Sequence, residues 1–114
     1  MPRKYEKSLI SSHHEFLKFL KNVKPSFRKK IITQCRKEEI DCLSEIFSNF
    51  LKKNLTTKNK VVNKLRPHKS LIRQVALKKT PVREKKNILS STAGGSILSI
   101  LLPLATSLLG SLMK

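Results

Sequence analysis

Apolar residues recur along this chain at three- and four-residue spacings, the period of helices with one buried face. Phe16, Phe19, Leu20 and Val23 stand at i, i+3, i+4 and i+7. In front of them, Ser12-His13-His14-Glu15 reads as a capping box, with Ser12 and Glu15 each satisfying a free backbone N–H. Pro25 ends that run or opens the next. There Phe27, Ile31 and Cys35 keep helical spacing, with Arg28, Lys29 and Lys30 expected to face outward. The clearest amphipathic segment is 37–53. Ile40, Leu43, Phe47 and Phe50 form its stripe, widened by Ile46 and Leu51. Glu38, Glu39 and Asp41 open it and Lys52 and Lys53 close it, both in favour of the helix dipole. This segment is expected at the centre of the core.

Further on, Thr56 or Thr57 is placed to cap a helix carrying Val61, Val62 and Leu65, which Pro67 interrupts. Leu71, Ile72, Val75 and Ala76 mark a short helix. Thr80-Pro81 reads as the N-cap and first residue of another, with Val82, Ile88 and Leu89. The first 93 residues hold no glycine, and no Asn-Gly or Asp-Gly hairpin signal occurs. Residues 90–95, Ser-Ser-Thr-Ala-Gly-Gly, read as a flexible linker. The tail, 96–114, has Lys114 as its only charge. As a helix, 96–113 would reach about 27 Å, just under the roughly 30 Å hydrocarbon core of a bilayer. Length leaves open a marginal span, an interfacial segment, or a helix buried against another protein. The predicted architecture is all-α: a small bundle of short helices over 1–89, a Gly-Gly linker at 90–95, and a separate apolar helix over 96–114.

Charge changes this picture most. The chain of 114 residues carries a net charge of +18. Residues 1–51 hold 11 Lys/Arg against 6 Asp/Glu, whereas 52–86 hold 13 against Glu84 alone. The first stretch is mixed, as folded surfaces are; the second is nearly one-signed, as polyanion-binding surfaces are. A solvated Lys-rich face is the plainer reading of an isolated patch, but not of this density.

Catalytic patterns are missing. No GxSxG, P-loop or HExxH occurs, and Gly94-Gly95 precedes Ser-Ile-Leu rather than Gly-Lys-Ser/Thr. The carboxylates sit at helix starts, as caps and surface charge. Cys35 and Cys42 lie seven apart, and His13, His14 and His68 are not at ligand spacing with them. Buried thiols are the better reading than a metal centre. The expectation is a non-enzyme without cofactor, metal or small-molecule substrate. Met1-Pro2-Arg3-Lys4-Tyr5-Glu6 contains no apolar core of a secretory signal.

The expected ligand is double-stranded DNA, bound through its phosphates without sequence specificity. Lys58, Lys60, Lys64, Arg66, Lys69, Arg73, Lys78, Lys79, Arg83, Lys85 and Lys86 are the expected contacts, each one charge among many. All five Phe (16, 19, 27, 47, 50) precede the basic stretch at apolar helical positions and are read as core. Residues 52–86 contain no aromatic except His68. Single-strand binders interleave aromatics with basic residues, so duplex binding is favoured.

The tail carries a resemblance. Gly94-Gly95-Ser96-Ile97-Leu98-Ser99-Ile100-Leu101-Leu102-Pro103-Leu104-Ala105, then Leu108-Leu109-Gly110, is similar to the end of adenovirus core protein X. The chain resembles more closely the X-like small basic proteins of adintoviruses and Polinton (Maverick) elements. Lys4-Tyr5, Lys24-Pro25-Ser26-Phe27-Arg28-Lys29-Lys30-Ile31-Ile32, the Cys-containing helix start Glu38-Glu39-Ile40-Asp41-Cys42-Leu43, the basic stretch and the Gly-Gly tail follow in the same order. The resemblance implies a DNA-condensing virion core protein, found in the virion and in the host nucleus during assembly. It also makes Gly94 and Gly95 a candidate protease site, although Thr92 stands where the adenovirus protease prefers Met, Ile or Leu.

In this reading Ile97, Leu98, Ile100, Leu101, Leu102, Pro103, Leu104, Leu108, Leu109 and Leu112 form a segment that engages a membrane or capsid protein. The alternative is a tail-anchored or membrane-surface protein whose basic part faces anionic lipid.

Overall fold

The computed structural model describes residues 13–52 and 59–112, with side chains through Ser107. The chain is all-α, a small bundle of helices around one core, and no strand occurs among the described residues. The helices are α1 (His14–Asn22), α2 (Pro25–Thr33), α3 (Lys37–Leu51), α4 (Asn59–Leu65), α5 (Lys69–Ala76), α6 (Val82–Ser90) and α7 (Thr92–Leu112). A 3-10 turn at Arg66–His68 joins α4 to α5 around Pro67, which has no N–H to give a regular helix.

The central role of α3 is borne out. Its stripe residues Ile40, Leu43, Ile46, Phe47 and Phe50 are buried, together with Cys42. It packs on α5, α6 and α7. Its start is closed by Glu39, whose carboxylate accepts the Arg36 backbone N–H at 2.8 Å. On α5, Ile72 and Val75 are buried; on α4, Leu65 is.

On the two helices before α3 the buried face differs from the expected one. On α1 the buried residues are Leu17 and Leu20, with Phe16 half-buried and Phe19 52% exposed. On α2 they are Arg28 and Ile32, while Phe27 is 51% exposed. Both helices are turned away from the face with the largest side chains. The reason lies in their partners: α1 packs against α7, whereas α2 packs chiefly against α6 and only touches α7. The smaller Leu17 and Leu20 fit against the long apolar α7, and Ile32 joins the same buried cluster. The expected Ser12 cap lies outside the described residues, as do Thr56 and Thr57; α1 begins with His13 at its N-cap.

The largest correction concerns 90–95 and the tail. Helix α7 starts at Thr92 and contains Gly94 and Gly95, so this segment is helix rather than linker. Nor is the tail separate. Ile97, Leu98, Leu101, Leu102 and Ala105 belong to the same buried cluster as Leu17, Ile32, Ile40 and Phe47. Ser91 makes the turn between the two helices. Its hydroxyl donates to the Ile88 carbonyl at 2.6 Å and accepts the Gly94 N–H at 3.0 Å, so it closes α6 and caps α7. A Cβ on Gly94 would collide with the Ile88 carbonyl oxygen, whereas one on Gly95 would meet nothing within 4 Å. Gly94 is therefore demanded by close backbone approach, and Gly95 is not.

Candidate nucleic-acid interface

The basic residues of the second half divide into two kinds. Lys60, Lys64, Arg66, Lys69, Arg73, Lys78, Lys79 and Arg83 are exposed. Lys60 and Lys64 share one face of α4, and Lys69 and Arg73 share one face of α5, each pair at i, i+4. Lys78 and Lys79 lie between α5 and α6, and Arg83 opens α6. Lys58 lies outside the described residues. The ion pairs among the described residues are Arg36–Glu39 at 4.0 Å and Lys37–Asp41 at 2.9 Å, both at the start of α3. The eight exposed cations named above take part in neither, although Lys78 borders a cavity that Asp41 and Glu45 also line.

Lys85 and Lys86 depart from that pattern. Lys85 is only 3% exposed, and its ammonium donates to the Ser44 hydroxyl at 2.9 Å, which in turn donates to the Ile40 carbonyl at 3.1 Å. It borders a cavity of about 440 Å³ shared with Lys37, Asp41, Ser44 and Lys52. Burial lowers its pKa, with Asp41 acting in the other direction. Lys85 was expected to meet phosphate; its place on the inner face of α6, one turn before Leu89, turns it toward α3 instead. Lys86 is half-buried and donates to the Thr33 carbonyl at 3.2 Å, tying α6 to the end of α2.

Arg28, expected to face outward, is also buried, at 5% exposure. Its guanidinium donates to the Leu20 carbonyl at 3.1 Å, the Lys21 carbonyl at 3.4 Å and the Ser99 hydroxyl at 3.1 Å. It therefore satisfies the open carbonyls at the end of α1 and pins α7 beside them. Burial lowers its pKa. The pattern expected Phe27 inside and Arg28 outside; the free carbonyls of α1 supply the reason for the reverse.

The tail residues expected to meet a membrane or capsid occupy the core. Ile97, Leu98, Leu101 and Leu102 are fully buried, Ile100 and Leu104 half-buried, and Pro103 exposed. The side chains of Leu108, Leu109 and Leu112 lie outside the described residues. Among the described residues no single helix is long and apolar enough to cross a membrane. Val82–Ser90 and Thr92–Ser107 have the length and composition only as a pair bent by 86°. Gly94 is buried inside the α6–α7 junction, so cleavage after Gly95 would require that junction to open.

Cys35 and Cys42 are buried free thiols, as expected. Burial raises Cys35 to about 11 and Cys42 to about 12, with nearby Glu39 and, for Cys42, Glu45 adding to the shift. Among the described residues no three His, Cys, Asp or Glu side chains gather as a metal site.

Sequence reasoning set Lys29 and Lys30 outward but gave the basic residues around the first two helices no part in an interface. Lys18, Lys24, Lys29 and Lys30 are exposed around Phe19 and Phe27. The signal was present, since four of these cations fall within 13 residues that also hold both Phe. It was masked by assigning every Phe to the core. The chain matches no protein-family model, no curated protein and no solved structure.

Proposed function

We propose that this protein binds double-stranded DNA through its phosphate backbone, without sequence specificity, and condenses it as a virion core protein. The observation that carries the reading is the set of eight exposed cations between Lys60 and Arg83, free of ion pairs with the described carboxylates. Exposed cations of this kind gain affinity by releasing counterions from the duplex and read no base. Exposed aromatics are missing from the described part of this stretch, where His68 is half-buried. Phosphate contact alone fits that composition. The resemblance to X-like proteins of adintoviruses and Polinton elements supports a place in the virion, and in the host nucleus during assembly.

The tail-anchored alternative needs α7 outside the bundle. The side chains it would offer to lipid are those that close the core, so the duplex reading stands ahead of it. Any contact of the tail with capsid or membrane likewise follows release of α7 or uses its exposed face.

A salt series on the full chain with a duplex oligonucleotide tests the proposal. Six to ten phosphate contacts predict a roughly thousandfold or greater loss of affinity between about 50 and 200 mM salt. Lys60→Gln, Lys64→Gln, Lys69→Gln and Lys78→Gln together should weaken binding and flatten the log–log salt slope by about 3 to 4. Salt-insensitive binding, or no binding together with flotation on anionic liposomes, would overturn it.

A further inference from the structure

Two large aromatic side chains stand half-exposed where helical periodicity alone would bury them. Phe19 is 52% and Phe27 51% exposed. Phe19 lines, with Phe16, Ile31, Gln34, Cys35 and the α3 residue Glu39, an open slot of about 370 Å³ beside α1 and α2. Phe27 lies one turn before Ile31, so Phe27, Lys30, Ile31 and Gln34 share one face of α2. A Phe left half in water forfeits part of its burial free energy, and here two do so on neighbouring helices. Lys18, Lys24, Lys29 and Lys30 stand exposed on or between the same helices, against the one carboxylate Glu15. The carboxylate lining the slot, Glu39, is already engaged by the Arg36 N–H.

We propose that the slot beside α1 and α2 receives an unpaired base of a single-stranded nucleic acid stacked on Phe19, with Phe27 offering a second aromatic face next to it and the exposed lysines of the same helices on the phosphates. Only an unpaired base offers a free flat face; bases within a duplex are already stacked on both sides. The slot is concave, with a side-chain amide, Gln34, in its lining, which suits a flat polar-edged ring. A bilayer would favour a protruding apolar face instead. The ligand class rests on the nucleic-acid reading above, but the surface is a different one. The chain would thus hold duplex through the α4–α6 cations and unpaired strand through the slot beside α1 and α2.

The test compares a single-stranded 12-mer with the duplex of the same sequence, each titrated with the full chain by fluorescence anisotropy. Phe19→Ala and Phe27→Ala should each weaken single-strand binding roughly 5- to 150-fold. Duplex affinity should stay within twofold. Because both side chains are exposed, an unchanged thermal midpoint should accompany the loss. The chain has no Trp, so Phe19→Trp is a lone reporter that should be quenched by the single strand and not by the duplex. Equal loss on both substrates, no loss on the single strand, or an unquenched Trp would overturn the proposal. So would Phe19-dependent binding to phosphatidylserine vesicles without an effect on the single strand, which would assign the patch to lipid. A chain that binds duplex but ignores Phe19 sinks this inference alone; one that binds neither substrate sinks the nucleic-acid reading with it.

Discussion

Helices α3 and α7 both fill the core, yet their sequences advertise it differently. On α3, three carboxylates (Glu38, Asp41, Glu45) mark the outer side, and the buried stripe opposite is plain. The described part of α7 carries no charge. Its outer side is drawn by Thr92, Ser96, Ser99, Pro103 and Ser107, all exposed and spaced 4, 3, 4 and 4 residues apart. That is a helical stripe written in small side chains rather than ionic ones. A strongly apolar segment is therefore not free by virtue of its hydropathy. Small polar residues at helical period are enough to give it an inside and an outside. The cations teach the complementary lesson: Arg28 lies buried beside the exposed Lys29, and Lys85 beside the half-buried Lys86.

The comparison breaks most readily at α7. Replacing Leu101 by Asp puts a carboxylate among Ile97, Leu98 and the α1 leucines, and should cost several kcal/mol, much of the total stability of a domain this size. Cooperative thermal unfolding by circular dichroism should vanish. A sharp transition retained in L101D would mean that α7 is not part of the core.

Gly94→Ala comes next. The new methyl meets the Ile88 carbonyl and should cost about 1–3 kcal/mol as overpacking, read from urea midpoints. A neutral result would return the Gly-Gly pair to the role of hinge.

The thiols sharpen the α3 side of the comparison. Their folded-state pKa values, about 11 for Cys35 and about 12 for Cys42, lie above the ordinary 9.0. The folded state holds the proton more tightly, so this contribution is intact below pH 9 and is lost as pH rises through 9 to about 12. Stability should fall across that window, and Cys42→Ala should shrink the fall; a pH-independent urea midpoint would contradict the burial. Lys85 has the opposite sign. Its lowered pKa makes the ammonium a cost at neutral pH that is relieved as pH climbs toward 10.5. Lys85→Met keeps the stem and removes the charge, so it should be neutral or stabilising by about 1 kcal/mol, without weakening duplex binding. Loss of duplex affinity in K85M would place Lys85 back in the interface.

The smallest effect is expected at Gly95→Ala. Open space surrounds the site, and relief of glycine's entropy in a helix should stabilise by about 0.5–1 kcal/mol. The contrast of sign with Gly94 is the point of the pair.

Much of the fold was legible in advance. The α3 stripe, the short helices at Leu71–Ala76 spacing and the Pro67 interruption are local patterns, and local patterns survive folding. The rotation of α1 and α2 was not legible. Phe16, Phe19 and Leu20 make as good a stripe as Leu17 and Leu20, and only the approach of α7 chooses between them. The candidate interface was legible as a density of charge from 52 to 86, but which cations lie inside it was not. Lys85 and Arg28 differ from Lys86 and Lys29 by one position, a hundred degrees of helix, and the neighbouring helix decides which is covered.

The residues by themselves determine that this chain is helical, where its helices break, and that its net charge seeks a polyanion, because propensity, proline and charge act locally or in sum. Only the tertiary structure decides that 92–107 closes the core, that Gly94 serves a tight junction, and that Phe19 and Phe27 are left in the open. Those outcomes depend on which surfaces of distant segments meet, and a burial face is a property of the pair in contact rather than of either helix alone.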